Sequence, residues 1–382
     1  GEKEFLDGLT QYFRTHAWGN TSLRDLLTEL ERTSGRELTS WSQAWLETAG
    51  VTLLRPQVET DSQGRISSFT IGQEPPNSPT GIPPTLRPHR IAVGLYHRTE
   101  HGVVRSQRVE VDVVGASTSV PELVGTAMPD LLLLNDGDLT FAKIRLDAHS
   151  LATAVRDIQH IQDPLARALV WAAAWDMLRD AELPMAQFLT LVENGLPTET
   201  EISIVSTLLS QTKAAIEQFS GPGRRAGYRE RWSDLTLRLT LEAEAGSDLQ
   251  LAFARAFSAS ASGPQTDVVR SWLEGAAPDG LVVDTDLRWT LLQRLIAQGA
   301  ADPAEIDAEL ARDDTATGQR QAAFARASIP TMAAKESAFV QAVDHDDLPN
   351  ALLGATVGGF LHPDQRELCR AFVPRYFDAI TR

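Results

Sequence analysis

Between Ser34 and Pro56 the hydrophobic period of the chain changes, and no other feature constrains the fold as strongly. Leu38, Trp41, Trp45 and Ala49 recur at spacings of three and four, which predicts a helix from about Leu38 to Thr48 with two indoles on one face. Gly50 can adopt the left-handed conformation that closes a helix without a Cβ penalty. Val51-Thr52-Leu53-Leu54 then reads as a strand. Helices are therefore expected upstream of the seam and strands downstream.

Upstream, Phe5, Leu9, Tyr12 and Phe13 form the apolar stripe of a first helix, and Leu23, Leu26, Leu27 and Leu30 that of a second, with Asn20, Thr21 and Ser22 as cap candidates. Residues 1–50 are thus a short helical segment whose bulky apolar residues suit docking on a larger body or association of the isolated chain. From 51 to 147 the period is two: Gly64 to Gln73, Arg90 to His97, Val103 to Val113 and Leu139 to Leu146 alternate, with Asp61-Ser62-Gln63-Gly64 as a turn. These predict a small antiparallel β-sandwich. Glu74 to Pro88 holds six prolines and cannot enter a sheet interior. Its Pro76-Asn77-Ser78-Pro79 matches a PxxP ligand formally, but a proline-stiffened loop between strands accounts for it without a partner.

His97-Arg98-Thr99-Glu100-His101 spells H-x-x-E-H, an inverted zinc-peptidase pattern. Two histidines at i and i+4 meet on one metal only when a helix turns once between them. Here a strand enters, Gly102 follows and Val103-Val104 leaves as another strand, so a hairpin is predicted and no metal site. His16, His89, His149, His160, His345 and His362 show no ligand spacing and read as surface or cap residues.

From 148 to 382 the pattern is helical. Asp163-Pro164 is an N-cap with proline at the first helical position, and Ala168, Trp171, Trp175 and Leu178 predict a core stripe on a central helix. Leu183-Pro184 opens a further helix that Asn194-Gly195 closes, and Thr198-Glu199-Thr200-Glu201 reads as a capping box before Ile202. Gly221-Pro222-Gly223 lacks both a preceding strand and a Lys-Ser/Thr, which excludes a phosphate loop and leaves a helix connector. Helices are expected over Trp232–Leu241, Asp248–Ser258, Val268–Glu274, Arg288–Gln298, one starting at Asp302-Pro303-Ala304-Glu305, Gly318–Ala327, Pro330–Val343, Leu348–Leu361 and Pro363–Ile380. Short helices with brief turns imply an all-α superhelix of stacked pairs. Arg288, beside Trp289 at the start of an apolar helix, reads as a structural ion-pair partner in preference to a carboxylate binder.

A single cysteine, Cys369, excludes an intrachain disulfide and a cysteine-rich zinc site and reads as a packed thiol. The net charge of −16 argues against nucleic acid or an anionic membrane as partner. Lys3, Lys143, Lys213 and Lys335 are the only lysines, so the positive charge is almost all arginine. No signal peptide, lipidation motif or apolar run of about 18 residues occurs, so a soluble, cytoplasmic protein is expected. The chain opens on Gly1 and directly on a helix, as an excised piece would.

Ser34-Gly35-Arg36-Glu37-Leu38, Trp41-Ser42, Trp45-Leu46, Thr48-Ala49-Gly50-Val51 and Leu54-Arg55-Pro56 resemble the zinc aminopeptidases of the aminopeptidase N family just past their catalytic domain. Gly1-Glu2-Lys3, Phe5, Gly8-Leu9, Tyr12-Phe13, His16-Ala17 and Asn20-Thr21 are similar to the helices closing that domain. Leu165 to Leu169 with Trp171, Trp175-Asp176-Met177 and Arg179-Asp180, then Gly246 to Phe257 and Asp286 to Trp289, resemble the family's helical C-terminal region. The resemblance covers essentially all 382 residues. The chain contains neither the H-E-x-x-H helix nor a G-A-M-E-N-type loop. The resemblance therefore implies a non-catalytic C-terminal region that shapes and covers a peptide cleft. Its partner would be an N-terminal catalytic domain, and zinc would be held by that domain, with no catalytic or metal residue here and the substrate contacts unassigned. On this reading the chain alone releases no amino acids from peptides. A freestanding helical-repeat adaptor that binds a peptide or protein is the alternative.

Overall fold

The computed structural model describes residues 1–76, 85–345 and 348–380, and the chain divides into two compact units, 1–180 and 181–382. The proline-rich stretch is covered only at its ends, so the PxxP match lies outside the described residues.

The first unit opens with α1 (Glu2–Thr15), α2 (Leu23–Ser34) and α3 (Thr39–Leu46). Gly8 lets α1 and α2 approach closely, since a Cβ there would lie 2.7 Å from Leu30 and 2.8 Å from Thr33. Ser22 starts α2, its backbone N–H and hydroxyl both donating to Asp25 at 2.8 Å. Phe5, Leu6, Phe13, Trp18 and Leu23 remain exposed. The two indoles of α3 do not share a buried face: Trp41 is 42% exposed, and Ser42 and half-buried Trp45 face inward. The seam itself is pinned from the distal end of the proline-rich stretch. Buried Arg87 donates to the carbonyls of Ala44 (2.8 Å) and Gly50 (2.6 Å) and to Thr48 Oγ1 (2.8 Å), with its guanidinium 5.4 Å from the Trp45 ring. Gly50 has φ +86°, as a helix-to-strand switch there requires.

Strands β1 (Leu53–Thr60), β2 (Ile66–Glu74), β3 (His89–Thr99), β4 (Gly102–Val113), β5 (Ser117–Ser119), β6 (Leu131–Leu134) and β7 (Lys143–Ile144) form two sheets, ordered β5-β2-β1-β7 and β4-β3-β6. Asp61 makes the β1–β2 turn by accepting from Gln63 N (2.8 Å) and Arg65 N (2.9 Å). The strands depart from expectation in two places. Leu131 to Leu134 is an unbroken apolar run buried on both faces, so it shows no alternation. The expected Leu139–Leu146 strand shrinks to two residues, and it pairs parallel to β1, so the sandwich is not wholly antiparallel.

Helices α4 (Ala148–Asp157) and α5 (Pro164–Arg179) complete this unit. Leu132 N–H donates to buried Ser150 Oγ of α4 at 2.8 Å, and Arg98 pairs with Asp157. Asp163 caps α5 through Leu165 N and Ala166 N with Pro164 at the first position, as its sequence predicts. The buried stripe is Ala166, Val170, Ala173, Ala174 and Met177, with Trp171 and Leu178 beside it. Trp175 is half-buried and stacks with Arg179 at 5.9 Å, so the paired-indole core is half right.

The second unit contains α6 (Met185–Gly195), α7 (Ile202–Ala214), α8 (Pro222–Glu242), α9 (Asp248–Ser260), α10 (Gln265–Leu273), α11 (Thr285–Ala297), α12 (Pro303–Arg312), α13 (Ala316–Ala327), α14 (Met332–Phe339), α15 (Asn350–Phe360), α16 (Arg366–Arg370) and α17 (Val373–Ala379). α7, α9, α11, α13 and α15 pack each on the next, while α8, α10 and α12 pack on their sequence neighbours, giving a two-layered row of antiparallel pairs. Ala254, Phe257, Val269, Trp272, Leu287, Leu291 and Leu295 form one stretch of core, and Trp289, Leu292, Ile296, Ile306, Ala322 and Ala325 the next. The capping box at Asp302 and Glu305 forms as predicted. That at Thr198 to Glu201 does not: Thr198 is used in a 3-10 turn, donating to Gly195 O at 2.9 Å, and α7 starts after Glu201 with no side-chain cap. α8 begins at Pro222, ten residues earlier than its apolar pattern suggests, because the first turns carry arginines. The expected Pro363–Ile380 helix breaks into a 3-10 turn, α16 and α17.

Candidate functional site

A gathering of partly buried charge lies in the second unit around the turn that Pro363 opens. Pro222 at the start of α8 sets the phase that places Arg225, Arg229 and Trp232 on one face, at spacings of four and three. Arg294 and Gln298 lie one turn apart at the end of α11. Arg294 is buried, and its Nη1 donates to Asp364 Oδ2 at 2.7 Å; Gln298 Nε2 donates to the same oxygen at 2.7 Å. Arg229 Nη1 sits 2.9 Å from Asp364 Oδ1 and holds Glu217 by two bonds of 2.7 and 2.6 Å. Glu217–Arg229–Asp364–Arg294 is therefore one alternating chain of charge.

Three spaces surround it. A depression of about 330 Å³ is lined by Ser206, Ser210, Lys213, Trp232, Arg255 and Ser260. A cavity of about 40 Å³ joins Lys213, Trp232 and Ser260 to Arg229, Arg294 and Asp364. A second depression, of about 410 Å³, lies against Arg229, Arg294, Gln298, Asp364 and Gln365. Arg229, Arg294 and Asp364 line both of the latter, so the ionic chain is the wall between them.

Burial opposes the charge of Asp364, but Arg294 and Arg229 outweigh it and hold its carboxyl below the ordinary range. Burial also pushes His362 down to about 4, so at neutral pH its ring is uncharged; its Nδ1 accepts from Asp364 N at 3.4 Å. Lys213 and Arg255 are exposed and make no ion pair among the described residues. The site thus offers two uncommitted cations, three hydroxyls and the partly exposed apolar side chains of Leu209 and Ala252, which suit a ligand with an anionic end and an apolar body. A further depression of about 620 Å³ lies between Phe339, Asp344 and Arg375, but Arg375 is committed to Glu336 at 2.7 Å and stacked on Phe339 and Phe372.

The residues singled out in the sequence fall elsewhere. His97 is near the end of β3 and His101 is in the turn to β4, with His97 Nδ1 3.9 Å from Asp130. Among the described residues no three His, Cys, Asp or Glu side chains converge as a metal would require. His89 is not a surface residue: it is 3% exposed, bridged to Thr52 Oγ1 (2.8 Å) and Thr140 Oγ1 (2.9 Å), and burial with nearby Arg87 pushes it down to about 4. Arg288 is structural, gripping Glu309 at 2.8 and 2.6 Å. Cys369 is half-buried and donates to Phe360 O at 2.9 Å, with burial pushing its thiol up. Gly221 precedes α8 and Gly223 lies in its first turn. Arg229, Arg294 and Asp364 carried no spacing signal, because Arg294 and Asp364 meet across 70 residues of chain.

Residues 131–382 match the model of the ERAP1-like C-terminal domain family. The chain is 51% identical to an aminopeptidase N of Streptomyces lividans over 385 residues, covering 100% of this chain and 45% of that protein. It is 34% identical to an aminopeptidase N of Lactococcus lactis subsp. lactis over 122 residues, 28% of this chain and 14% of that one. The chain therefore spans less than half the length of either relative. A crystal structure of Legionella pneumophila aminopeptidase A in complex with aspartic acid shares the fold with a TM-score of 0.60 at 13% identity, covering 95% of this chain and 45% of that one. No helix among the described residues is long and apolar enough to cross a membrane.

Proposed function

Since the chain belongs to the ERAP1-like C-terminal domain family, we propose that it is the non-catalytic, cleft-shaping region of a zinc aminopeptidase that trims peptides from their amino ends. The observation that carries this reading is the 51% identity running over 100% of the chain. The catalytic machinery and its zinc belong, on this reading, to an N-terminal catalytic domain, and the exposed Phe5, Leu6, Phe13 and Trp18 suit docking against it. A cytoplasmic setting and the division at 50/51 and 147/148 belong to the same proposal.

Peptides are the substrates this region would help to admit. The depression beside Lys213 and Arg255 fits the carboxylate end of a peptide, with Leu209 and Ala252 supplying apolar surface. In a protein joining this chain to its catalytic domain, Lys213→Ala with Arg255→Ala should raise KM for peptides with a free C-terminal carboxylate about tenfold more than for their amides, equivalent to about 1.4 kcal/mol. Equal weakening of both peptide classes would sink the assignment of these two residues. Absence of any aminopeptidase activity in the joined protein would sink the wider reading and favour a binding adaptor.

A further inference from the structure

In an open stack of helix pairs each pair touches only its neighbours. The second unit departs from that rule at the turn His362–Arg366. Asp364 accepts from Arg229 of α8 and from Arg294 and Gln298 of α11. Gln365 Nε2 donates to Ala297 O at the end of α11 (3.0 Å) and to Ser328 O after α13 (2.7 Å). Arg366 Nη2 donates to the carbonyl of Glu217 at 2.8 Å, across 149 residues, in the π-helical turn Ala215–Phe219. Three consecutive side chains thus reach four separate stretches of the row. The ties are polar, and Gln365 Oε1 is buried without a partner among the described residues.

We propose that this turn is a latch that closes the row α7, α9, α11, α13, α15 on itself and sets the spacing between α8 and α15. The two spaces that share Asp364 as a wall have their widths set by the same contact. The row's own packing is between neighbours and leaves it free to spread, in the way of a solenoid. A buried charge pair does not yield by degrees: removing one partner leaves the other desolvated and unpaired, so the latch is either shut or open. The inference concerns the unit's own conformation and holds whether or not the depressions take a peptide.

The test places spin labels at Gly223→Cys in α8 and Gly354→Cys in α15, in the whole chain with Cys369→Ser. A Cβ at either glycine meets nothing within 4 Å. Pulsed dipolar spectroscopy should give one narrow distance distribution. Adding Asp364→Asn should create a second, longer population, and Arg366→Ala, which loses only the Glu217 tie, a smaller one. An unchanged distribution in folded Asp364→Asn chain overturns the latch. If that variant does not fold, unchanged distributions in both Arg366→Ala and Gln298→Ala overturn it equally. Kinetic failure of the Lys213 and Arg255 variants would leave this result untouched, so the two proposals fail separately.

Discussion

Arg87 shows how one side chain settles a boundary that the pattern of its neighbours only suggests. Its guanidinium serves the open carbonyl end of α3 and the first residues past it, a fork that a lysine ammonium cannot reproduce. Arg87→Lys should destabilise the first unit by about 2 to 3 kcal/mol, because buried carbonyls lose charged donors. A denaturant midpoint unchanged from the parent protein would refute the assignment. His89, two residues on, carries a pH signature. Its folded pKa is about 4 against an ordinary 6.5, so the unfolded chain takes up the proton first as the solution is acidified. The stabilisation is whole above pH 6.5 and is lost as pH falls toward 4, by up to about 3 kcal/mol. Thermal melts from pH 7 to 4.5 should show a steeper loss for the parent chain than for His89→Gln; parallel curves would show that His89 contributes no such term. His362 acts with the same sign in the second unit.

At the scale of elements, α15 is packed by what it lacks. A Cβ on Gly359 would lie 2.2 Å from Phe324 O and 2.9 Å from Ala327 Cβ, so α13 and α15 approach as closely as backbone allows. Lys335 is fully buried beneath this contact and donates to Ala327 O (2.7 Å), Gly359 O (3.1 Å) and Phe360 O (2.9 Å), serving the ends of both helices. Burial pushes it down to about 8, which keeps it charged at pH 7 with a proton for each carbonyl. Gly354, on the open face of the same helix, meets nothing. Gly359→Ala should therefore destabilise the second unit by about 2 kcal/mol or more, since backbone must move, while Gly354→Ala should stabilise it by about 0.5 to 1 kcal/mol. Urea midpoints of the two variants decide this, and shifts of the same sign would show that α13 and α15 are not held at backbone distance.

At the scale of the molecule, each unit is bound by charge as well as by its core. In the first, Arg98–Asp157, Arg105–Asp163 and Lys143–Asp180 bind sandwich residues to α4, α5 and the residue that closes α5. In the second, Arg231–Glu193, Arg270–Glu305 and Arg288–Glu309 link one helix to another. Most of the 35 basic residues are arginines, and their planar fork suits such half-buried pairs. The chain alone should hydrolyse no aminoacyl-fluorophore with or without added zinc, whereas the protein carrying the catalytic domain should. Chelator-sensitive hydrolysis by the pure chain would overturn that expectation.

The sequence alone determined the order of helix, sheet and helix, the hairpin at His97 to His101, the caps at Asp163 and Asp302, and the family. Each is written locally, in a period, a cap or a run of matching residues, and needs no distant partner to be read. Tertiary structure decided the rest. Leu131 to Leu134 became a strand because both its faces are covered, Trp41 is exposed and Trp175 only half-buried although their spacing marks a core stripe, and His89 lost its charge because Thr52, Thr140 and Trp45 close around it. The ionic chain through Asp364 was invisible for the same reason: its members are scattered along the chain, and only packing brings them together and removes the water that would make their charges indifferent to one another.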